Sequence, residues 1–353
     1  MRSSVPAPPE LLIETVVAAA FFATTWLLGG YFSTVTRFGD NAEYAAIARA
    51  IHEGVFLHVP AKLPWGMPYA IVMVAYVCRV SEYVALVVVS SLASVSSVLL
   101  AGRLWGGWIA SFFAVLSIPW LQRSFLGGSE PLFVLLVFGS FFMARQERWL
   151  VAALLASVAT IVRPVGLIAV GSLGLVLVYR RLFRELAAIG VVAALVALTY
   201  VVPQWMFLGD PLASYHGYRV DWDSTFPLGV PFRALITGFR RTTRSFANVM
   251  NNIAWICLAL GGVIGLMLRS SRGSVRHWPM EIVFCVAYVV FLVCYNSTTW
   301  SFAEFARFAI PVIPLLLIGC ERYLPRHRAV IYGLAIGVPI AAAARGMYGV
   351  SLP

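Results

Sequence analysis

The stretch PLFVLLVFGSFFMARQERWLVAALLASVATIVRPVGLIAVGSLGLVLVYRRLFR, residues 131–184, decides the fold. Three apolar runs, near 131–144, 149–162 and 165–179, are parted by the polar break around Arg145 and Arg148 and by VRPVG. The stretch closes on Arg180, Arg181 and Arg184. Runs this apolar, with arginines confined to their ends, read as membrane helices, and arginine clusters mark the cytoplasmic side. The same pattern extends from Leu11 to Ala344. Further helices are expected near 186–203, 253–268, 281–298, 308–320 and 328–344, and in the first third at Leu11–Tyr31, Tyr83–Ala101 and Leu104–Trp120.

Composition agrees: 61% of the 353 residues are hydrophobic and 12% charged, with a mean hydropathy of +0.86, whereas soluble domains carry roughly 25% charged residues. No linker rich in Pro, Gly or Ser and no tandem repeat divides the chain, so residues 1–353 read as one membrane domain. The five cysteines lie in or beside apolar stretches without metal-ligand spacing and read as packing residues. The net charge of +11 is almost wholly arginine, Lys62 being the only lysine.

Further clusters at Arg269, Arg272 and Arg276 and at Arg322, Arg326 and Arg328 fix the cytoplasmic loops, and alternation from them exposes a parity problem in the first third. Gly66–Arg79 is short and carries Pro68 just after Pro64, so it is expected to dip into or lie along the outer leaflet and return. The reading is an all-α polytopic protein with about eleven transmembrane helices in the cytoplasmic membrane, N-terminus cytoplasmic and C-terminus outside. Asp40, Glu43, Glu130, Arg163, the segment Gln204–Asn252 and the turn Glu304–Arg307 then fall on the outer face, where loops 32–82 and 204–252 would form an active-site face. Arg219, Arg233, Arg240, Arg241 and Arg244 make Gln204–Asn252 basic on the side that should be depleted in arginine. Long loops relax that rule; a face that must hold an anion, or an amphipathic helix on anionic headgroups, explains more.

Residues 38–54, FGDNAEYAAIARAIHEG, form an acidic knot on this face. Asp40 and Glu43 fit a capping box, with Tyr44, Ile47, Ala48 and Ile51 at helical spacing and Gly54 as a C-terminal cap, so 41–52 reads as a short amphipathic surface helix. An acid at this place can also take a proton from a hydroxyl nucleophile while a lipid-linked substrate arrives from the bilayer. Asp40 is the preferred base, with Glu43 as its orienter or, with Asp40, a ligand for a divalent cation such as Mg or Mn.

With the segments LPWGMPYAIVMVAYV, GGSEPLFVLLVFGSFFMAR, ATIVRPVGLIAV, FLGDPLASYHGY and EFARFAIPVIPLLL following in order, the chain resembles the GT-C superfamily of integral-membrane glycosyltransferases. The likeness is nearest to bacterial relatives of polyprenyl-phosphate-sugar-dependent mannosyltransferases. The resemblance implies transfer of a sugar, mannose favoured, from a polyprenyl-phosphate carrier to a lipid, glycan or protein hydroxyl on the outer face, with inversion. It places Asp40 at the acid of the first external loop; the family's paired acids stand there as DD, DE or DxD, whereas here two residues part Asp40 from Glu43.

Other candidates carry two readings each. Glu130 begins a helix after two glycines, or binds substrate hydroxyls; Arg163 snorkels to headgroups, or contacts phosphate or sugar. Asp210 reads as a turn residue. His216 and Arg219 follow at one-turn spacing as substrate-binding candidates. Glu304 and Arg307, one turn apart, pair with each other, or Arg307 grips the carrier phosphate. No P-loop or dinucleotide fingerprint is present, and no nucleic acid is expected as a partner. A transporter or flippase of lipid-linked sugars is the alternative; it should show ionisable residues near helix centres and repeat symmetry.

Overall fold

The computed structural model describes residues 40–55, 63–219, 227–243, 246–271 and 278–324. The order is α1 (Asp40–Glu53), α2 (Gly66–Cys78), α3 (Glu82–Trp105), α4 (Gly107–Leu116), α5 (Ile118–Leu126), α6 (Glu130–Arg145), α7 (Trp149–Val162), α8 (Leu167–Tyr179) and α9 (Phe183–Leu208). Two short helices follow, α10 (Ala213–Tyr218) and α11 (Arg233–Arg241), then α12 (Phe246–Ser271), α13 (Pro279–Cys294), α14 (Phe305–Phe308) and α15 (Ile313–Gly319).

Ion pairs label the two ends of the bundle. At one, Arg307 of α14 meets Asp40 and Glu130. At the other, Arg145 at the end of α6 donates to Glu281 at 2.6 Å and to the Leu104 carbonyl at 2.7 Å. The chain passes back and forth between them: α3, α6, α8, α12 and the run 305–319 leave the first end, and α4 with α5, α7, α9 and α13 return to it. The expected helices near 11–31 and 328–344, with Arg272, Arg276, Arg326 and Arg328, lie outside the described residues.

Glu82–Trp105, Phe183–Leu208 and Asn248–Ser271 are long and apolar enough to cross a membrane, and α4 with α5 make a fourth span if taken together. The shorter helices pack among them around an aromatic centre, where the Phe113 ring lies 4.7 Å from Trp120 and Trp105 lies 4.9 Å from Phe138. The protein is a multi-pass, all-α membrane protein.

α2 behaves as expected. Gly66 is pressed against the backbone of Ile161 and Val162, where a Cβ would lie 2.6 Å away; just beyond the other end of α2, Glu82 pairs with Arg49 of α1 at 3.5 Å. Both ends stay at the Asp40 end of the bundle, so α2 does not cross.

Several boundaries differ from expectation. The helix expected over 104–120 breaks at Gly106 (φ +94°) and at Ser117, which caps α5 by accepting from Trp120 N–H at 3.3 Å. With Pro119 opening α5, the pair α4 and α5 is bent by 79°. The run 308–320 splits into α14, a 3₁₀ turn Ile310–Val312 and α15, because Pro311 and Pro314 bring no amide donor. The helix expected to 298 stops at Cys294, and Tyr295 forms an isolated antiparallel bridge with Leu228. α9, expected to stop at 203, runs through Pro203 to Leu208. A proline there leaves the carbonyl four residues earlier without its helical donor, and Tyr69 of α2 supplies one, its hydroxyl donating to Thr199 O at 3.1 Å.

Candidate active site

The site is built on the corner between α5 and α6. Gly127 turns there with φ +92°, and a Cβ on it would lie 2.4 Å from Leu86 Cδ2, so only glycine fits. Serines of α3 fasten the corner: Ser90 Oγ donates to Gly128 O at 3.0 Å and accepts from Gly128 N–H at 3.1 Å, while Ser91 Oγ donates to Ser124 O at 3.0 Å. In apolar surroundings such hydroxyls are the available glue between helices. They hold the start of α6, and with it Glu130, 2% exposed, inside the bundle.

One Glu130 oxygen accepts from two arginines, Arg307 Nε at 2.5 Å and Arg163 Nη1 at 2.7 Å. Arg307 Nη2 donates to Asp40 Oδ2 at 3.0 Å. Arg163 also donates to Ser129 Oγ at 3.0 Å, which accepts from Tyr44 O–H at the same distance. Burial pushes the Tyr44 hydroxyl up to about 12, so it stays a donor. Pro164 explains the placement of Arg163: the residue before a proline is driven to extended backbone, and Arg163, at φ −147°, leaves the end of α7 pointing across to α6. Two guanidiniums and two carboxylates thus form one partly desolvated network, in which each charge is stabilised by its neighbours.

A cavity of about 450 Å³ opens above it. Asp40, Arg163, Glu304 and Arg307 supply its charged surface, and Tyr44, Tyr288, Tyr295 and Trp300 are among its aromatic walls. Val165, Leu167 and Ile168 at the start of α8 and Phe291 and Leu292 at the end of α13 make up its apolar arm; Leu167 is 63% exposed. The volume suits a sugar and phosphate.

Of the residues singled out in the sequence, the structure brings Asp40, Arg163, Glu304 and Arg307 to this one cavity. Glu130 is not in its wall but beneath it, holding both arginines. Glu43 lies on α1 outside the lining. His216 and Arg219 are also outside it; neighbouring Tyr215 lines the cavity, and His216 Nδ1 meets Asp210 Oδ2 at 2.6 Å. That bond, with one from Leu212 N–H, holds the Asp210 carboxyl below its ordinary range. Asp210 is the turn residue expected. Asp40 is the first described residue of α1, and one of its carboxylate oxygens, Oδ2, is held by Arg307. At Asp40, Arg307 already holds Oδ2, and among the described residues no three His, Cys, Asp or Glu side chains gather as ligands for a divalent cation.

Three participants were not singled out: Tyr44, Tyr288 and Arg123. Tyr288 lines the cavity and donates to Phe308 O at 3.1 Å, tying α13 to the end of α14. Arg123 of α5 lies within electrostatic reach of Arg307, Glu130, Asp40 and Glu304, its side chain against Gly128. The signal for Arg123 was present, since an arginine inside an apolar membrane segment calls for a functional or structural partner.

No family model and no curated protein matches the sequence. Solved structures do. ArnT from Cupriavidus metallidurans in the apo state aligns with a TM-score of 0.53 at 18% identity, covering 97% of this chain and 65% of that one. The same enzyme bound to undecaprenyl phosphate aligns with a TM-score of 0.54 at 17% identity. The Archaeoglobus fulgidus oligosaccharyltransferase, tethered to an acceptor peptide containing the NVT sequon, aligns with a TM-score of 0.50 at 14% identity, covering 98% of this chain and 56% of that one. The fold of the chain is that of the GT-C membrane glycosyltransferases. It spans just under two thirds of the length of ArnT and little more than half of the oligosaccharyltransferase.

Proposed function

We propose that the protein is a glycosyltransferase moving a sugar, mannose favoured, from a polyprenyl-phosphate carrier to an acceptor hydroxyl of a lipid, glycan or protein. The reaction would take place on the extracytoplasmic side of the cytoplasmic membrane and invert the anomeric centre. The observation that carries this reading is one cavity in which a carboxylate, Asp40, and two guanidiniums, Arg163 and Arg307, meet an apolar arm that includes the exposed Leu167. A carrier lipid needs that combination: the isoprenoid chain lies along the arm and the phosphate reaches the arginines. The solved relatives add support, one binding undecaprenyl phosphate and another holding an acceptor peptide.

In the mechanism, the phosphate takes the Arg307 Nη2 now held by Asp40, while Glu130 keeps the guanidinium fixed through Nε. The displaced carboxylate is then free to accept a hydrogen bond from the acceptor hydroxyl. The acceptor oxygen attacks the anomeric carbon on the face opposite the phosphate. The bond from that carbon to the phosphate oxygen breaks with its electron pair, Asp40 takes the hydroxyl proton, and Arg307 and Arg163 stabilise the charge that grows on the leaving phosphate.

The test is transfer of radiolabelled mannose from polyprenyl-phosphate-mannose by the reconstituted protein, beside the Asp40→Asn variant. Sugar transfer by the wild type that the variant lacks is expected. Movement of the intact labelled lipid between leaflets without sugar transfer would instead establish a flippase, and full turnover by the variant would remove Asp40 from the base role.

A further inference from the structure

α11, RALITGFRR, is the most amphipathic helix of the described structure and touches the protein along one narrow sector. At ~100° per residue, Ala234, Leu235 and Gly238 share the buried sector. Gly238 lies so near Thr298 O that a Cβ would sit 2.7 Å from it. Ile236 and Phe239 come next around the helix, 51% and 47% exposed, and Arg233, Arg240 and Arg241 fill the remaining, outward sector. No carboxylate occurs between residues 227 and 243. Among the described residues none of the three arginines has an ion-pair partner.

The helix is anchored at the Asp40 end of the bundle. The segment before it pairs with the end of α13, Gly229 N–H donating to Cys294 O at 2.8 Å and Phe232 N–H to Val293 O at 2.7 Å. The Phe239 ring packs on Phe302 at 5.5 Å. Three sectors in the order protein, apolar, cationic suit a helix lying in a lipid surface, with apolar side chains in the acyl boundary and arginines at the headgroups. A soluble polyanion would match the arginines but leave Ile236 and the exposed flank of Phe239 without a use.

We propose that α11 is an interfacial helix whose Arg233, Arg240 and Arg241 bind the headgroups of anionic lipids around the cavity mouth. The partner is the negatively charged lipid surface itself, and the contact is independent of turnover, so it stands or falls apart from the glycosyl-transfer reading.

The test places a cysteine at Ile236 and follows its reaction with an uncharged, water-soluble maleimide in nanodiscs, reading modification of that peptide by mass spectrometry. With phosphatidylglycerol mixed into phosphatidylcholine, labelling is expected to slow about fivefold relative to phosphatidylcholine alone, and to regain speed when salt screens the surface. With R233Q/R240Q/R241Q in the same chain the two lipids should give equal rates, and R233K/R240K/R241K should restore most of the difference. Equal rates in both lipids with the arginines intact would overturn the proposal. So would protection by inorganic polyphosphate in phosphatidylcholine discs where phosphatidylglycerol gives none, which would assign the arginines to a soluble polyanion.

Discussion

Arg307 divides its guanidinium between two acids of different standing. Glu130 is buried and shared with Arg163, whereas the Asp40 side chain is 42% exposed in the cavity. Removing a buried charge strands its partners, a loss of about 3–5 kcal/mol, while a half-exposed pair is worth about 1 kcal/mol or less. Glu130→Gln should therefore lower stability by several kcal/mol in a detergent melt and also weaken donor binding, because neither guanidinium is then aimed. Asp40→Asn should leave the melt within about 1 kcal/mol of wild type, yet reduce turnover by roughly 10²–10⁴-fold. Donor affinity should hold or improve in that variant, since the phosphate no longer competes for Nη2. If the two variants lost stability and turnover in parallel, the division between a positioning acid and a reacting one would be wrong.

Among elements, α2 is the piece whose seat depends on single atoms. Tyr69→Phe takes away the donor for the carbonyl that Pro203 frees, and should cost about 1 kcal/mol. Gly66→Ala forces a methyl into the backbone at the end of α7 and should shift α2 and expose its buried face, raising proteolysis after residue 66. The two measurements separate a lost bond from a lost seat. The same elements show what the sequence could say. Helices with arginine ends and apolar interiors were legible, and so was the non-crossing α2, because chain parity demanded one. The bends were not. An apolar run does not record its own direction, and only Gly106 and Pro119 hinted that 104–120 would break and bend. At the site, Asp40, Arg163, Glu304 and Arg307 were legible as charges where the membrane tolerates few. That Glu130 would be spent on Arg307 was not, since the two stand 177 residues apart and nothing local to either names the other.

For the whole molecule, the make-up of the cavity constrains how a lipid-borne substrate can lie. The cavity takes its apolar arm from α8 and α13, the exposed Leu167 included, and its charged surface from Asp40, Arg163, Glu304 and Arg307. On the proposed reading, a chain lying along the arm brings its phosphate to Arg163, which stands immediately before the turn that starts the arm, and to Arg307, held on the same Glu130 oxygen. Ile168 lines that arm and is only partly buried, so a larger side chain there narrows the path without touching an ion pair. Ile168→Trp is expected to raise the KM for a long-chain polyprenyl donor about tenfold, the scale of one misfitted apolar contact, and to leave kcat nearly unchanged. A short-chain, water-soluble donor does not fill the arm and should show no change in KM. Steady-state kinetics with the two donors measures the difference. Equal penalties for both would mean that the chain lies elsewhere.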